Sequence, residues 1–572
     1  MPTINQLAPV SQLSGGDQIP IYVPNNGDAR RTSVTQLTQY VEDNIVVTVD
    51  ATEVAYTPPG SGAVPTTVQA KLRESVSVKD FGAVGDGFTN DTIAINTAFA
   101  ALNNYEINSL YFPAGTYVVS GALIAITRSG VSLFGDGKRQ SVITQTSNTN
   151  TLTISPPTGA SYLLGDITIR DLGFDQGAVT APTAGVMLTI ARMQRGYFDI
   201  DIRSVFSGIV IRGSDELFFS DLSISGAYSW TSLMPGSCLL NFAYDYEGGK
   251  TNSEIFFDGF NIKGYGLWGG PLYLSECIKI EIVDGLFMTN GHVGFSYNSS
   301  LYVAAPNIAG TYTQNVEFTQ VYFDGQNSGD PSGSLVLIGG STTPAVNHIK
   351  FIGCSFKNHV SNAMNVSLST LTDLRIIGCE FGHCGGFGLI LINQKEFIVS
   401  GNIFKGLNRN AGSSVSAIAM YDSSKGVITG NQVLPGQNTH SEGLLINGAC
   451  SDVNVNGNTF EGHTNDMVVA SGAARITFAS NRKIGSDPTA VAASTTTIPT
   501  GYDVVEITGN TGITSINTPI TMNRVTLVFS GTPTVTDGGN LKLNGNFVAT
   551  AGSTLSLMGY GGNWSEVARA VV

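Results

Sequence analysis

Three carboxylates stand close together in an aromatic-rich stretch of this 572-residue chain. Asp245 and Glu247, in NFAYDYEGG, fall where an alternating apolar segment runs out into a loop, and Glu276, in PLYLSEC, occupies the corresponding exit one repeat later. Two carboxyl groups held roughly 6.5–9.5 Å apart can cleave a glycosidic bond with inversion, one as acid and the other as base for a water. An apolar setting raises the pKa of one member while its partner stays ionised, and Asp245, Glu247 and Glu276 are the catalytic expectation on that ground. Asp258 and Asp284, in DGFNI and DGLFM, share a phase 26 residues apart. An Asp-Gly step is ordinary turn chemistry, and a structural role is the preferred reading for both.

The same window supplies a binding surface. Trp230 and Trp268 lie in AYSWTSLMPG and GYGLWGGPLY, and Tyr228, Tyr244, Tyr246, Tyr265, Tyr273, Tyr297 and Tyr302 fall between residues 228 and 302. Sugar rings present C–H faces that pack on aromatic planes, and rings flanked by Gly and Pro belong to loops or rims more often than to a core. Tyr228, Trp230, Tyr244, Trp268, Tyr273 and Tyr297, with His292, are therefore expected to line a polysaccharide groove; core packing or contacts between copies is the alternative. A different chemistry, β-elimination on a uronate-containing glycan, needs a base and a charge neutraliser. His292 and Lys263 are its candidates.

The elements that must hold these residues announce themselves by repetition. IKFIGCSF (349–356), LRIIGCEF (374–381), EFIVSGNIF (396–404), GVITGNQV (426–433), DVNVNGNTF (452–460) and RITFASNRKI (475–484) share one phrase: alternating apolar residues, a small residue, Asn or Cys, then an apolar residue. The marker glycines 353, 378, 401, 430 and 457 are 25, 23, 29 and 27 residues apart. A period in this range signals a solenoid, and alternation within each copy signals strands. Second apolar segments such as FGLILI, AIAMY and GLLIN make two or three strands per coil, which describes a right-handed parallel β-helix of roughly a dozen coils. Asn402, Asn431, Asn458 and Asn481 should stack and hydrogen-bond from coil to coil, with Cys354 and Cys379 in the same phase. An open solenoid end needs a cap; NDTIAINTAFAAL (90–102) reads as a helix with Ile93, Ile95, Ala98, Phe99 and Leu102 on its buried face.

Composition excludes several classes. Charged residues make up 13% and the formal net charge is −14, which argues against nucleic acid as partner. No apolar run is long enough to span a membrane, and the N-terminus lacks the features of a secretory signal. The six cysteines form no CxxC pair and read as buried free thiols; neither a metal site nor a cofactor is expected.

SVKDFGAVGDGFTNDTIAINTAF (77–99) followed by LYFPAGTYVV (110–119) resembles the opening motif of the pectate-lyase-like β-helix superfamily. KLRESVSVKDFGAVGDG is similar to the version found in bacteriophage tailspikes and capsule depolymerases. PTINQL and LSGGDQIPIYVPNNGDARRTSVTQL resemble virion-attachment segments, and VTLVFSGTPTVTDGGNLKLNG (525–545) resembles a terminal tailspike β-domain. The resemblance implies a homotrimer on a phage tail that binds and depolymerises a bacterial surface polysaccharide (capsule or O-antigen) and joins other tail or baseplate proteins through residues 1–75. Residues 76–490 would be the β-helix and 491–572 a small β-sandwich. The NTD, DD and GHG motifs of polygalacturonases are absent; GHV (291–293) and GHC (382–384) are the nearest echoes. Hydrolysis is the favoured chemistry, with a lyase or a binding spike without enzymatic activity as alternatives.

Overall fold

The computed structural model describes residues 12, 14–23, 28–44, 50–179, 181–227, 234–264, 274–305, 311–325, 333–340, 346–408, 415–436, 438, 440–469, 472–484, 504–516 and 523–572. The chain divides into two units, 1–76 and 77–572. The first holds an antiparallel hairpin, Gln18–Val23 with Asp28–Ser33, and a helix, Val34–Asn44, that buries no residue. Leu37, Tyr40 and Val41 on that helix are 41%, 63% and 38% exposed.

The second unit opens with a capping box: Ser77 and Asp80 bond reciprocally around the turn Val78–Phe81, and Gly82 ends it at φ 92°. Asp91 is buried, and its carboxylate accepts the backbone N–H groups of Val84 (2.7 Å) and Gly85 (3.1 Å). It pins the GAVGDG loop instead of capping the helix Thr92–Asn103 with its side chain. That helix buries Ile95, Ala98, Phe99, Ala101 and Leu102. Ile93, expected on the same face, is 82% exposed. At about 100° per residue it points away from Ile95 and Leu102.

Beyond the helix the chain winds through three parallel sheets, and from Leu152 onward each coil places one strand segment in each. Twelve described strands, from Leu152–Ile154 to His463–Val469, form the first sheet. The second runs from Ser109–Phe112 through Val346–Ile352 to Ala474–Ala479, and the third from Asp86–Asn90 through Ser355–Lys357 to Arg482–Ile484. This is a parallel β-helix. In the later coils a Gly in the left-handed region (Gly353 φ 60°, Gly401 φ 65°) turns the chain between second and third sheets. Earlier coils use one long bent strand instead, Asn252–Lys263 or Val283–Gly294, with the bend at Gly259 (φ 66°) or Asn290 (φ 55°).

Identical residues stack because the register is nearly constant. The side-chain amide and backbone N–H of Asn402 both donate to Asn431 Oδ1 (2.9 Å each). Asn431 treats Asn458 in the same way (3.0 and 2.9 Å), and Asn458 treats Asn481 (3.0 Å each). Cys379 continues the column, its N–H donating to Asn402 Oδ1 at 2.8 Å. Phe323, Phe356, Phe381 and Phe404 form a second column with centroids 5.1, 4.8 and 4.6 Å apart. All six cysteines are free and buried. Residues 504–570 add a five-stranded sheet and a two-stranded ribbon around a core that includes Trp564, Phe529 and Phe547, with Met467 of the last first-sheet strand packed against it.

Candidate active site

The third sheet turns into the first at a corner that brings together His292, Lys263, Glu276 and Tyr297 of the residues singled out by sequence. His292, near the end of Val283–Gly294, lies opposite Asn261 on the preceding coil and Tyr322 on the following one. Lys263 and Asp324 are paired with Gly294 from either side. After the corner, Glu276 lies on the first sheet between Cys238 and Ser299. Backbone contacts lock the turn: Gly264 N–H donates to the Gly294 carbonyl (2.9 Å), and Phe295 N–H to that of Asp324 (3.0 Å). Gly264 is required there, since a Cβ would meet the Phe295 carbonyl oxygen at 1.8 Å.

His292 sits in an aromatic setting at this corner. Its ring packs edge-on against Phe295 (5.7 Å between centroids) and lies 5.2 Å from the ring of Tyr322. Burial pushes its pKa below the ordinary 6.5; the Asp324 carboxylate, 4.0 Å from Nε2, pulls the other way, and the Lys263 charge adds to the lowering. The ring is therefore neutral at neutral pH. Burial also raises the Tyr322 phenol to about 12, so it carries its proton. Asn358 holds both neighbours, its side-chain amide donating to Tyr322 Oη (3.2 Å) and Asp324 Oδ1 (3.1 Å). Nε2 of His292 and Oδ1 of Asn261 are buried without a hydrogen-bond partner among the described residues. Lys263 forms no ion pair among the described residues, whereas Lys357 and Lys405 both grip Glu380, at 2.6 Å each.

The expected carboxylate trio does not assemble. Glu276 pairs in register with Cys238, and Asp245 lies seven positions past Cys238, at the far end of the first sheet. At about 3.3 Å per residue that places the two acids roughly 23 Å apart along the strand, well outside a catalytic pair's reach. Asp245 is buried and accepts the N–H groups of Glu247 (3.2 Å) and Gly248 (3.0 Å), closing its own loop. Arg192 ties both acids to the fold, with Nη2 3.0 Å from Glu247 and Nε 4.0 Å from Asp245. Glu276 instead accepts the Asn298 amide at 3.0 Å, next to Tyr297, whose N–H donates to the Leu274 carbonyl at 2.7 Å.

Asp258 and Asp284 are not equivalent either. Asp258 pairs with Thr289 and Asp284 with Ser253, because the bent strands shift the turn relative to the Asp-Gly steps. Tyr244 stacks edge-on with exposed Tyr246 at 5.0 Å, on the Asp245 side. Tyr228, Trp230, Trp268 and Tyr273 lie outside the described residues; in chain order they precede the first-sheet strands Met234–Ala243 and Leu274–Ile280. Tyr322 and Asp324 were missed in sequence. Their signal was there: in NVEFTQVYFD (315–324), a weaker copy of the repeat, they flank Phe323 at the positions that alternation turns outward.

The fold is that of the pectate lyase-like parallel β-helices, which phage tailspikes share. Residues 75–223 match the family model described as rhamnogalacturonase A/epimerase, pectate lyase-like. Over 72 residues, 12% of this chain, it is 43% identical to alginate lyase 7 of Azotobacter vinelandii, and that stretch spans 8% of the relative. The mannuronan C5-epimerase AlgE1 of the same organism is 40% identical over 72 residues, spanning 5% of its length. Tailspike protein 3 of bacteriophage CBA120 superposes with a TM-score of 0.51 at 15% identity, covering 81% of this chain and 71% of that one. A tailspike of the E. coli bacteriophage HK620 gives 0.50 at 11% identity, covering 78% and 84%. At these identities the likeness is one of fold.

Proposed function

We propose that the protein is a phage tailspike that processes a bacterial surface polysaccharide, and that it cleaves a uronate-containing glycan by β-elimination at the His292 corner. The observation that carries the chemistry is a neutral, desolvated imidazole beside a protonated phenol on the outer wall of the β-helix. Asp324 at 4.0 Å from Nε2 favours the proton on that nitrogen and leaves Nδ1 with its lone pair. Nδ1 takes the proton α to the uronate carboxylate, Lys263 stabilises the charge that develops on that carboxylate, and the C4–O bond breaks as the C4=C5 bond forms. The Tyr322 phenol delivers a proton to the departing oxygen. Base and acid each contribute about a hundred- to ten-thousandfold in such a step. The short matches to an alginate lyase and a mannuronan epimerase agree with uronate chemistry.

Hydrolysis by paired acids loses its support once Asp245 and Glu276 stand at opposite ends of the first sheet. Association of copies is supported by the helix Val34–Asn44, which buries no residue although Leu37, Tyr40 and Val41 lie at i, i+3 and i+4 on one side. The deciding experiment incubates purified protein with uronate-containing bacterial polysaccharides and follows near-ultraviolet absorbance with mass analysis of the fragments. Unsaturated ends are expected. Fragments without them would mean hydrolysis, and intact polymer would mean a binding spike.

A further inference from the structure

A second feature lies on the neighbouring wall of the same coils. On the outer face of the second sheet Tyr197, Phe218, Phe256 and Phe287 fall in one register. Phe218, Phe256 and Phe287 stack at 4.9 and 5.1 Å, and Tyr197 and Phe218 are 43% and 45% exposed. An outward aromatic column on a wall otherwise built of polar residues is costly to leave in water unless it has a use. The column stops at Phe287, where the next positions are Glu317 and Lys350. At that step a cavity of about 580 Å³ opens, floored by Phe256 and Phe287 and rimmed by Glu254, Asp284, Glu317 and Lys350. Gly285, at φ 85°, keeps the floor open: a Cβ there would stand 3.2 Å from the Glu254 nitrogen.

The chemistry of the rim selects its ligand. An apolar floor with convergent polar groups suits a small ring compound having one C–H face and a hydroxyl edge. Three carboxylates face one ammonium, and that ammonium is already engaged, with Lys350 3.6 Å from Glu317. His348 adds no free charge, since its Nδ1 lies 2.8 Å from Asp373. Asp284 is held by the amides of Gln314 (3.1 Å) and Asn315 (2.8 Å), which fixes its oxygens at the rim. The negative excess repels an anionic sugar and favours hydroxyl or ammonium donors.

We propose that this cavity is a glycan subsite for an uncharged or amino pyranoside. Phe287 and His292 are five residues apart on one strand, about 16 Å. A single polymer crossing the bend spans both sites, and its substrate is then a heteropolysaccharide that carries neutral or amino sugars as well as uronate. This inference rests on the polysaccharide reading and sharpens it.

Saturation-transfer NMR on the full chain tests it, with methyl β-glucoside, methyl β-glucosaminide and methyl β-glucuronide as millimolar probes. Transfer to the glucoside and the glucosaminide is expected in the wild type, weakened about tenfold by Phe287→Ala, as for loss of an aromatic anchor. Any glucuronide signal should be indifferent to that change. Glu254→Lys, on an exposed rim position, should suppress the glucosaminide while sparing the glucoside, which guards against a merely misfolded Phe287 variant. No transfer to the first two probes, transfer that survives Phe287→Ala, or a glucuronide signal lost with the others would overturn the subsite. His292→Ala should leave glucoside and glucosaminide binding intact, so loss of cleavage and loss of the subsite are read separately.

Discussion

His292 and Tyr322 are register partners on adjacent coils, their rings 5.2 Å apart, one driven neutral and the other kept protonated by the same burial. Neighbouring rungs of a β-helix always bring side chains this close. What distinguishes this pair is that burial pushes the imidazole pKa down and the phenol pKa up. A base and an acid of complementary state thus result from position alone.

Removing either member should cost turnover and little else. His292→Ala and Tyr322→Phe are each expected to lower kcat by about a hundred- to ten-thousandfold, with KM changed far less. Steady-state kinetics on the cleaved polysaccharide decides this; a loss confined to KM would reduce both residues to binding roles.

The pH dependence follows from the direction of the His292 shift. Its folded pKa lies below 6.5, so the competent neutral base is present above that value and is lost as pH falls through the lowered pKa. Activity should therefore hold between pH 6.5 and neutrality and decline only on the acid side. Tyr322, at about 12, keeps its proton through neutral and mildly alkaline solution. A pH–kcat profile with its acid limb centred above 6.5 would contradict the assignment.

Asp245→Asn should leave cleavage within a few-fold of wild type yet lower the melting temperature. The change weakens a buried carboxylate that holds two backbone N–H groups and faces Arg192, at a cost of about 1–3 kcal/mol. A variant of unchanged stability that has lost turnover would return Asp245 to the catalytic machinery.

Asn431→Ala breaks the amide column in its middle. The N–H and amide of Asn402 and the Val399 carbonyl each lose a partner in the interior, about 1–3 kcal/mol per group left unsatisfied. Thermal unfolding should show a marked drop, and the surface variant Lys425→Ala, none.

Assembly can be tested on the first helix. Tyr40→Glu places a charge on a half-exposed apolar strip and should dissociate the oligomer in light-scattering measurements, leaving the β-helix folded. An unchanged mass would show that the helix does not hold the copies together.

The repeat made the β-helix legible from sequence, and for a physical reason. Stacked coils expose the same environment again and again, so small residue, Asn and Phe recur at one phase, and the Asn402–Asn481 column and the Phe323–Phe404 column follow from it. Sequence failed where phase drifts. Between residues 164 and 294 the coils turn by bent strands without a Gly-Asn corner, so Asp258 and Asp284 looked equivalent and were not. Glu276 and Asp245 looked like matching strand exits for the same reason.

The sequence by itself determined the alternation that makes strands, the period that stacks them, the burial of all six thiols and His292 as a residue of interest. Only the tertiary structure decided which side chains share a corner. Register depends on where each strand bends, and a shift of a few residues carries a carboxylate from one end of a sheet to the other while leaving the apolar pattern untouched.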